Sequence, residues 1–503
     1  MSRPYNSHIL GVIGLAAVAS LGIAGCTAAT GSPTAHDTLH VAEGGAPNSF
    51  EIGHNQGGEN TVQLSVYDTV IHQAADGQLL PGLATHWMYN QDRTQLTLTI
   101  RTGSKFTDGE PVDAAAVAKS LEADHTGPST SGDISYVTSI QAPNPTTVVI
   151  TLSQPNAALV PLLAGIDGAV AAPSTIGSAQ SATDPIGSGP YILDEAGTQI
   201  GSTYTLTKSD SYWDSKAYPF KTIVYSVLAP TAAFDGLRSG QLDFAQVTPA
   251  QAKQLPSAQF VTGVDKATTF GAIWIADRDG KIQPALANLK VREAINMVFD
   301  RNSIGNLEPG VLHGTDQLYN PGGGAYIKAL AGAYPYNVNE ARELMAEAGY
   351  AKGFTVTMPA VAVITGQVQS LITQSLGEIG IKVNWQNVTL ANIVGNMMTK
   401  DYPMYFFPDA WTSSDAQDTQ NFLGAAFNPF GNTTPELHNL VAAANTSGTP
   451  GAFASVNRYF IENAWFVPLE YNTFYWAHTK WMTYTPPTIY RDQMPPSMFG
   501  LAG

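Results

Sequence analysis

Residues 95–112 read QLTLTIRTGSKFTDGEPV, and this stretch decides the fold. Polar and apolar residues alternate from Gln95 to Arg101, which predicts a half-buried β-strand. Asp108-Gly109 is a turn signal, because aspartate bonds to the backbone that follows it and glycine tolerates unusual backbone angles. Asp113 then precedes three alanines as an N-cap and predicts a helix that reaches Leu121. A strand, a turn and a helix in immediate succession indicate a mixed α/β protein.

Strand and helix patterns continue to alternate along the rest of the chain. Val291 to Phe299 places its apolar residues on one helical face, and Asn339 to Ala348 is a second amphipathic helix that ends at Gly349. Strand, helix and strand then follow one another, as in the β-α-β unit of a parallel sheet, over Phe354 to Met358, Gln367 to Ile379 and Ile381 to Trp385. We therefore expect a soluble body built from α/β lobes.

The composition allows several lobes and argues against a nucleic-acid partner. With 503 residues, of which 44% are hydrophobic, the chain is long enough for two or three cores. Its 24 basic and 40 acidic residues give a net charge of −16. Proteins that bind nucleic acid need clustered Lys and Arg, so we expect no such partner.

The N-terminus has the features of an export signal. A short polar segment with Arg3 precedes an apolar run from Ile9 to Ala24, which is shorter than the roughly 20 apolar residues of a membrane-spanning helix. Cys26 is the only cysteine, so the chain cannot form an internal disulfide. The segment LGIAGC at 21–26 resembles a bacterial lipobox, in which the thiol is acylated and cleavage makes the cysteine the new N-terminus. We predict a signal peptide over 1–25 and lipidation at Cys26. The tether would then be flexible over 26–35.

Eight segments, spread over nearly the whole mature chain, resemble motifs of the family 5 extracellular solute-binding proteins of ABC importers. They are LLPGLA at 79–84 with Trp87, IRTGSKFTDGEPV at 100–112, GSGPY at 187–191, YW at 212–213, LRSGQLD at 237–243, VREAI at 291–295 with DR at 300–301, Leu344 with EAGY at 347–350, and AWTSSDAQDTQNFL at 410–423. We interpret most of these residues as structural. Arg292, for example, is expected to bond to buried carbonyl groups or to a carboxylate.

The resemblance implies an α/β fold of two lobes joined by a two-strand hinge, as in periplasmic binding proteins, with an extra subdomain inserted in the first lobe. The predicted divisions are 36–57, 185–273 and 478–503 for the first lobe, 58–184 for the inserted subdomain, and 274–477 for the second lobe. The ligand would lie in the cleft between the lobes, and the receptor is expected to be a monomer that delivers its ligand to the permease of an ABC importer.

The resemblance also implies four ligand-binding candidates. In peptide receptors of the family, the segment that matches 410–423 carries an aspartate that pairs with the α-ammonium group of the ligand. Counting back from Phe422 places Asp415 on that aspartate and Asp418 on the next one in the pattern. One extra residue separates Trp411 from Asp415, and Thr419 stands where the family has proline, so these aspartates are alternatively loop-capping residues. Trp411 and Trp274 are candidates for the wall of the ligand site or, alternatively, for the core.

Other functions leave no comparable signal. The sequence contains no HExxH, GxSxG or GxxxxGK[ST] motif, so we expect a receptor without catalytic residues, metal site or cofactor. Within the same fold, a nickel chelate, haem, a sugar or an opine stays open as the ligand instead of a peptide. A receptor that signals or helps adhesion without feeding a permease and an exported hydrolase are the remaining alternatives.

Overall fold

The quoted stretch forms the strand, the turn and the helix that its residues predict. In a computed structural model, a strand covers Gln95–Ile100 and a helix covers Ala114–Thr126. Between them, Gly109 has a φ of 94°, and the Asp108 carboxylate accepts a 3.0 Å bond from the amide of Glu110. The Asp113 side chain accepts a 2.9 Å bond from Ala116 N and so caps the helix.

The structure describes residues 36–54, 60–128, 134, 136–265, 269–366, 368–389, 392–412, 414–449, 451–487 and 494–503. The predicted signal peptide, the tether and Cys26 lie outside these residues. Asp37–Gly503 form one compact unit. Its strands are β1 (Thr38–Glu43), β2 (Asp68–Thr69), β3 (Ile71–Gln73), β4 (Leu79–Pro81), β5 (Ala84–Tyr89), β6 (Gln95–Ile100), β7 (Val137–Asn144), β8 (Thr147–Leu152), β9 (Ala169–Val170), β10 (Tyr191–Leu193), β11 (Thr203–Lys208), β12 (Thr222–Val227), β13 (Phe244–Val247), β14 (Phe260–Val264), β15 (Thr269–Trp274), β16 (Leu312–Gly314), β17 (Thr355–Ala360), β18 (Lys382–Asn387), β19 (Tyr405–Ala410), β20 (Phe466–Asn472), β21 (Tyr475–Thr479), β22 (Met482–Tyr484) and β23 (Phe499–Leu501). Its α-helices are α1 (Gln63–Val66), α2 (Ala114–Thr126), α3 (Leu159–Leu162), α4 (Pro230–Ser239), α5 (Pro249–Ala252), α6 (Leu289–Met297), α7 (Arg301–Gly305), α8 (Val338–Glu347), α9 (Ala362–Thr365), α10 (Gln369–Gly377), α11 (Ile393–Met398), α12 (Asp415–Leu423), α13 (Pro435–Ser447) and α14 (Ala454–Glu462).

The first large sheet combines strands from both ends of the compact unit. Its order is β10-β11-β12-β1-β13-β21-β14, and β1 pairs in parallel with β12 and β13. Strand β21, from the C-terminal part of the chain, lies between β13 and β14 and is antiparallel to both. This sheet corresponds to the predicted first lobe.

The predicted inserted subdomain contains a separate antiparallel sheet, ordered β5-β6-β8-β7, with α2 against it. Its junction with the first sheet has no room for additional side-chain atoms. A Cβ atom at Gly187 would come within 2.0 Å of Val66 O, and Gly189 donates a 2.8 Å bond from its amide to the same oxygen. These contacts account for the glycines of the motif GSGPY at 187–191.

An aromatic contact joins two further motifs at this junction. The guanidinium carbon of Arg101 lies 3.7 Å from the centre of the Trp213 ring, and Trp213 Nε1 donates a 2.7 Å bond to the buried carboxylate of Asp68. Stacking of a guanidinium on an indole is favourable, and a charge-assisted bond strengthens the contact. The two motif residues therefore have structural roles.

The second large assembly corresponds to the predicted second lobe. It contains an antiparallel sheet ordered β16-β20-β15-β19 and a parallel pair, β17 and β18, joined through α10. The parallel pairing confirms the predicted β-α-β unit, although Gln367, the first residue of its predicted helix, lies outside the described residues. Helices α6 and α8 confirm the two amphipathic helices and pack against each other.

The chain crosses between the two large sheets at two neighbouring points. Strand β14 belongs to the first sheet and β15 to the second, while β20 belongs to the second and β21 to the first. The predicted boundaries 273/274 and 477/478 fall inside β15 and β21, whereas β14 ends at Val264 before β15 begins at Thr269, and β20 ends at Asn472 before β21 begins at Tyr475. The division into lobes stays a prediction, and sheet pairing favours crossings four to nine residues earlier.

Arg292 stabilises the second assembly by bonding to carbonyl groups, as its sequence context predicted. Its Nη1 atom donates to Leu286 O at 2.9 Å and to Ala287 O at 3.0 Å, and Nη2 donates to Asn463 O at 3.1 Å. The side chain is buried, and burial lowers the pKa of its guanidinium group. One cation thus joins the start of α6 to the end of α14.

We expect Arg292→Ala to lower the free energy of unfolding by about 2–4 kcal/mol, because the buried carbonyl group of Leu286 and the partly buried bonds to Ala287 and Asn463 lose their donor. Urea denaturation followed by circular dichroism measures the change. Arg458→Ala is the matched control, since that guanidinium group is half exposed and pairs with Glu462 one helical turn away. Equal losses in the two variants would contradict the role of Arg292.

Candidate functional site

Asp415 is the first residue of α12 and is almost completely buried. Its exposed fraction is 9%, and its Oδ2 atom accepts a 2.9 Å bond from Ala325 N. Ser414 precedes it as the N-cap and accepts a bond from Gln417 N. The first turn of a helix stabilises negative charge because its amide groups point toward it. The fold thus provides Asp415 with a backbone donor and a favourable local field.

Asp418 lies one turn further along α12 and holds the preceding loop. Its Oδ1 atom accepts bonds from Thr412 N at 2.8 Å and from Thr412 Oγ1 at 2.7 Å. Oδ2 is buried and has no hydrogen-bond partner among the described residues. Burial, aided by the charges of Asp415 and Asp409, raises the pKa of Asp418 well above its usual range, although the bonds from Thr412 act in the opposite direction. These contacts match the loop-capping alternative.

Thr419, which replaces the proline of the family pattern, connects the aspartate loop to a tyrosine. Its Oγ1 atom donates to Asp415 O at 2.7 Å and lies 2.5 Å from the hydroxyl oxygen of Tyr319. Tyr319 is fully buried, so this pair of hydroxyl groups fixes the first turn of α12 from inside the lobe. A proline could not make the contact with Tyr319. The substitution therefore adds a side-chain restraint on Asp415.

Trp411 lies beside the start of α12 and has little exposed surface. Its Nε1 atom donates to Leu318 O at 2.7 Å, and its ring centre lies 5.1 Å from that of Phe270 and 6.2 Å from that of Tyr471. The exposed fraction is 2%. Trp411 thus belongs to an aromatic cluster near the start of α12. Tyr471 is half-buried and is the member of this cluster nearest the surface.

Trp274 lies deeper than a ligand wall would. It is fully buried, stacks on Phe427 with ring centres 4.0 Å apart, and donates from Nε1 to Phe407 O at 3.0 Å. In this conformation its side chain offers no surface to a ligand, which matches the core alternative. The structure therefore brings Asp415, Asp418 and Trp411 together, whereas Trp274 packs in the core against Phe427.

Glu470 is a buried carboxylate that the sequence reasoning missed. It pairs with Gly271 across β20 and β15, and a Cβ atom at Gly271 would lie only 2.2 Å from Glu470 Oε1. Oε2 has no hydrogen-bond partner within the described part of the chain, and burial raises the pKa of Glu470 to about 7. The acidic residue in the otherwise apolar segment FVPLEY at 466–471 was the only sequence signal for it.

The described residues offer neither a metal site nor a membrane span. No three His, Cys, Asp or Glu side chains in the described ranges lie together in a way that could hold a metal ion. Nor does any helix in those ranges have both the length and the apolar character needed to cross a bilayer.

Comparison with known proteins places these features in a family context. The model of the bacterial extracellular solute-binding proteins, family 5 (middle region), matches residues 78–434. The glutathione-binding protein GsiB of Shigella dysenteriae is 25% identical over 464 residues, which cover 84% of this chain and 86% of that protein.

Solved structures show the same fold. The chain superposes with a TM-score of 0.76 on the periplasmic binding protein DppA of Helicobacter pylori in complex with the peptide STSA, at 20% identity over 93% of this chain and 98% of that one. NikA of Brucella suis in complex with Fe(III)-EDTA gives a TM-score of 0.75 at 20% identity, over 92% and 100% of the two chains. These likenesses confirm the predicted two-lobed α/β fold.

We expect the stability of the protein to fall as the pH rises from about 4.5 to 7, in part because of Glu470. The native state holds this proton more tightly than the unfolded chain, whose glutamate releases it near pH 4.5. Glu470→Gln removes the cost of ionisation, so the unfolding free energy of the variant relative to wild type should increase by at most about 3 kcal/mol between pH 4 and pH 8.

Urea denaturation at both pH values measures this difference, and Glu343→Gln, at an exposed position of α8, is the control. If the Glu470→Gln difference is the same at both pH values, the native state does not hold the Glu470 proton more tightly than the unfolded chain does.

Proposed function

Because the chain belongs to the bacterial extracellular solute-binding proteins of family 5, the substrate-binding proteins of ABC importers, we propose that it captures peptides between its lobes and delivers them to an importer permease. The Asp415 carboxylate would accept a hydrogen bond from the α-ammonium group of the peptide. The family is a transport family, so the protein acts by binding and release, and we propose a monomer without a cofactor.

The observation that carries this proposal is the environment of Asp415. A ligand ammonium group that leaves water needs an ionised acceptor held in a fixed position, and a charge-assisted bond of this kind contributes about 1.5–3 kcal/mol. Asp415 is held by Ala325 N, by the first turn of α12 and through the Thr419–Tyr319 contact. An acceptor held in this way orders fewer groups when the ligand arrives.

The aromatic cluster supports a ligand with an apolar side chain beside its ammonium group. Tyr471, the half-buried member of the cluster that it forms with Trp411, would contact such a side chain, because aromatic rings give large contact areas at little entropic cost. Peptides with varied sequences would be held chiefly through their backbone at strand edges. Micromolar affinity corresponds to about −8 kcal/mol, which a few such bonds, one ion pair and closure of the lobes can supply.

A non-peptide ligand is the second candidate. NikA, whose fold this chain shares, was solved in complex with a metal chelate, Fe(III)-EDTA. Native mass spectrometry of protein purified from its own host separates the two: retained peptides support the proposal, whereas a metal chelate, a porphyrin, a sugar or an opine would replace it.

We expect Asp415→Asn to weaken the binding of Ala-Ala-Ala at least tenfold, because the buried ammonium group would lose its ionised acceptor. Isothermal titration calorimetry measures the affinity. An N-acetylated form of the peptide should bind weakly to wild type and should lose little further affinity in the variant.

Asp279→Asn is the control for this experiment, since Asp279 is an exposed carboxylate of the same predicted lobe. Unchanged affinity of Asp415→Asn for the free peptide would remove Asp415 from the site.

We also propose that the mature protein is anchored by a lipid on Cys26 to the outer face of the cytoplasmic membrane. The lipobox-like segment and the turn-rich residues after it support this location. Two or more acyl chains give stable anchoring, whereas one chain gives only weak association.

In the native host, we expect wild-type protein to partition into the detergent phase of a Triton X-114 extraction and Cys26→Ser protein to partition into the aqueous phase. Immunoblotting of the two phases measures the distribution. Equal partitioning of the two forms would contradict lipidation at Cys26.

A further inference from the structure

The predicted inserted subdomain bonds directly to two helices of the second lobe. Asn156 Nδ2 donates to Gln420 Oε1 at 3.3 Å, and Ala157 N donates to Asn445 Oδ1 at 3.0 Å. Gln420 lies on α12 and Asn445 on α13. The bonded residues are 264 and 288 positions apart in sequence, so each bond spans two parts of the molecule that belong to different sheets.

The donor side of these bonds is held in position by contacts within the inserted subdomain itself. Asn156 Oδ1 accepts a 2.9 Å bond from Ala158 N, and Asn156 O accepts a 3.2 Å bond from the hydroxyl group of Tyr89. Asn156 and Asn445 are both buried. Polar groups buried at such a contact lose their hydrogen bonds to water. Each of them therefore needs a partner on the other side of the contact.

The surroundings of the two bonds are apolar or neutral. A cavity of about 440 Å³ adjoins them, and no charged residue lines it. Its walls come from Tyr136 and Asn156 on the inserted subdomain and, among others, from Gln420, Asn421, Val441 and Asn445 on the second lobe. Neutral amide bonds are insensitive to salt and pH, so this contact depends on geometry alone.

Helix α12 links the contact to the candidate ligand site. Gln420 lies five residues after Asp415 on the same nine-residue helix, a distance of about 7.5 Å along its axis. A bond that fixes Gln420 against the inserted subdomain therefore also fixes the position of Asp415 relative to that subdomain.

We propose that the two bonds form a latch through which the inserted subdomain stabilises the closed, ligand-holding conformation. The latch consists of Asn156 with Gln420 and of Ala157 with Asn445, and the proposal rests on the receptor function proposed above. The latch contributes to affinity by changing the population of the closed state. Its loss therefore weakens all ligands by one common factor, whatever their chemistry.

Calorimetry with Ala-Ala and Ala-Ala-Ala tests the latch. Gln420→Ala and Asn445→Ala should each weaken both peptides by about fivefold, and the double variant by about twentyfold, because the loss of one such bond changes an equilibrium by roughly this factor. Asn439→Ala, at an exposed position of α13, is the control and should leave both affinities unchanged. Unchanged affinities in the double variant, or a loss for only one of the peptides, would overturn the latch.

Hydrogen exchange of the ligand-free chain provides a second test that needs no ligand. The Ala157 amide is protected while its bond to Asn445 exists, and Gln420→Ala leaves both of those groups in place. If the two bonds open together, Gln420→Ala should speed the exchange of this amide by about fivefold, measured by mass spectrometry on peptides that span 156–160.

Exchange as slow as in wild type would overturn the latch even in a chain that binds peptides. Conversely, if wild-type protein binds neither peptide, the proposed peptide function fails, and the exchange measurement still decides the latch.

Discussion

One backbone hydrogen bond connects the two passages between the large sheets, and the arrangement of the rest depends on it. Asp265 N donates to Phe474 O at 2.7 Å, in line with the pairing of β14 with β21 on one side and of β15 with β20 on the other. The described ends of the two crossing segments therefore lie side by side where the chain passes from the first sheet to the second. A two-stranded connection resists stretching and shear, but it can bend and twist. The angle between the two lobes can thus change while the strand pairs on either side of the crossing keep their register.

A narrow connection of this kind does not fix the angle between the two lobes. Contacts away from the crossing therefore determine which angle is preferred. On the second-lobe side, α12 carries Asp415 at its first residue and Gln420 in its middle, so one rigid element faces both the candidate ligand site and the inserted subdomain. On the other side, the inserted subdomain is fixed to the first sheet by the close approach of Gly187 and Gly189 to Val66 and by Arg101 on Trp213. Several motif residues far from any ligand thus contribute to function, because they hold the parts that must meet.

Much of the fold could be predicted from local sequence, because hydrophobic period and capping chemistry are local. Asp113 caps α2, and the β-α-β unit and Arg292 behave as expected. The crossings could not be located, since β15 is apolar at nearly every position and gives no sign of where its pairing begins. For the site, the spacing of the family motif placed Asp415, Asp418 and Trp411 in one segment, which forms the residue after β19 and the first turn of α12. It could not show that Trp274 and Trp411 are both buried, because burial depends on tertiary packing. Glu470 was missed because its burial depends on Gly271 in a strand almost 200 residues away.

The position of β21 has a consequence for how the protein matures. This strand, Tyr475–Thr479, completes the first sheet between β13 and β14, although it is made after the whole of the second lobe. During synthesis and export, the earlier strands of that sheet are therefore present for more than 200 residues of elongation without the neighbour that joins β13 to β14. Contacts this distant in sequence form slowly, and unpaired strand edges favour aggregation in the meantime. Of the two large sheets, the first is the earlier to begin and the later to close, so a chain of this design gains from being kept unfolded, or shielded, until β21 has emerged.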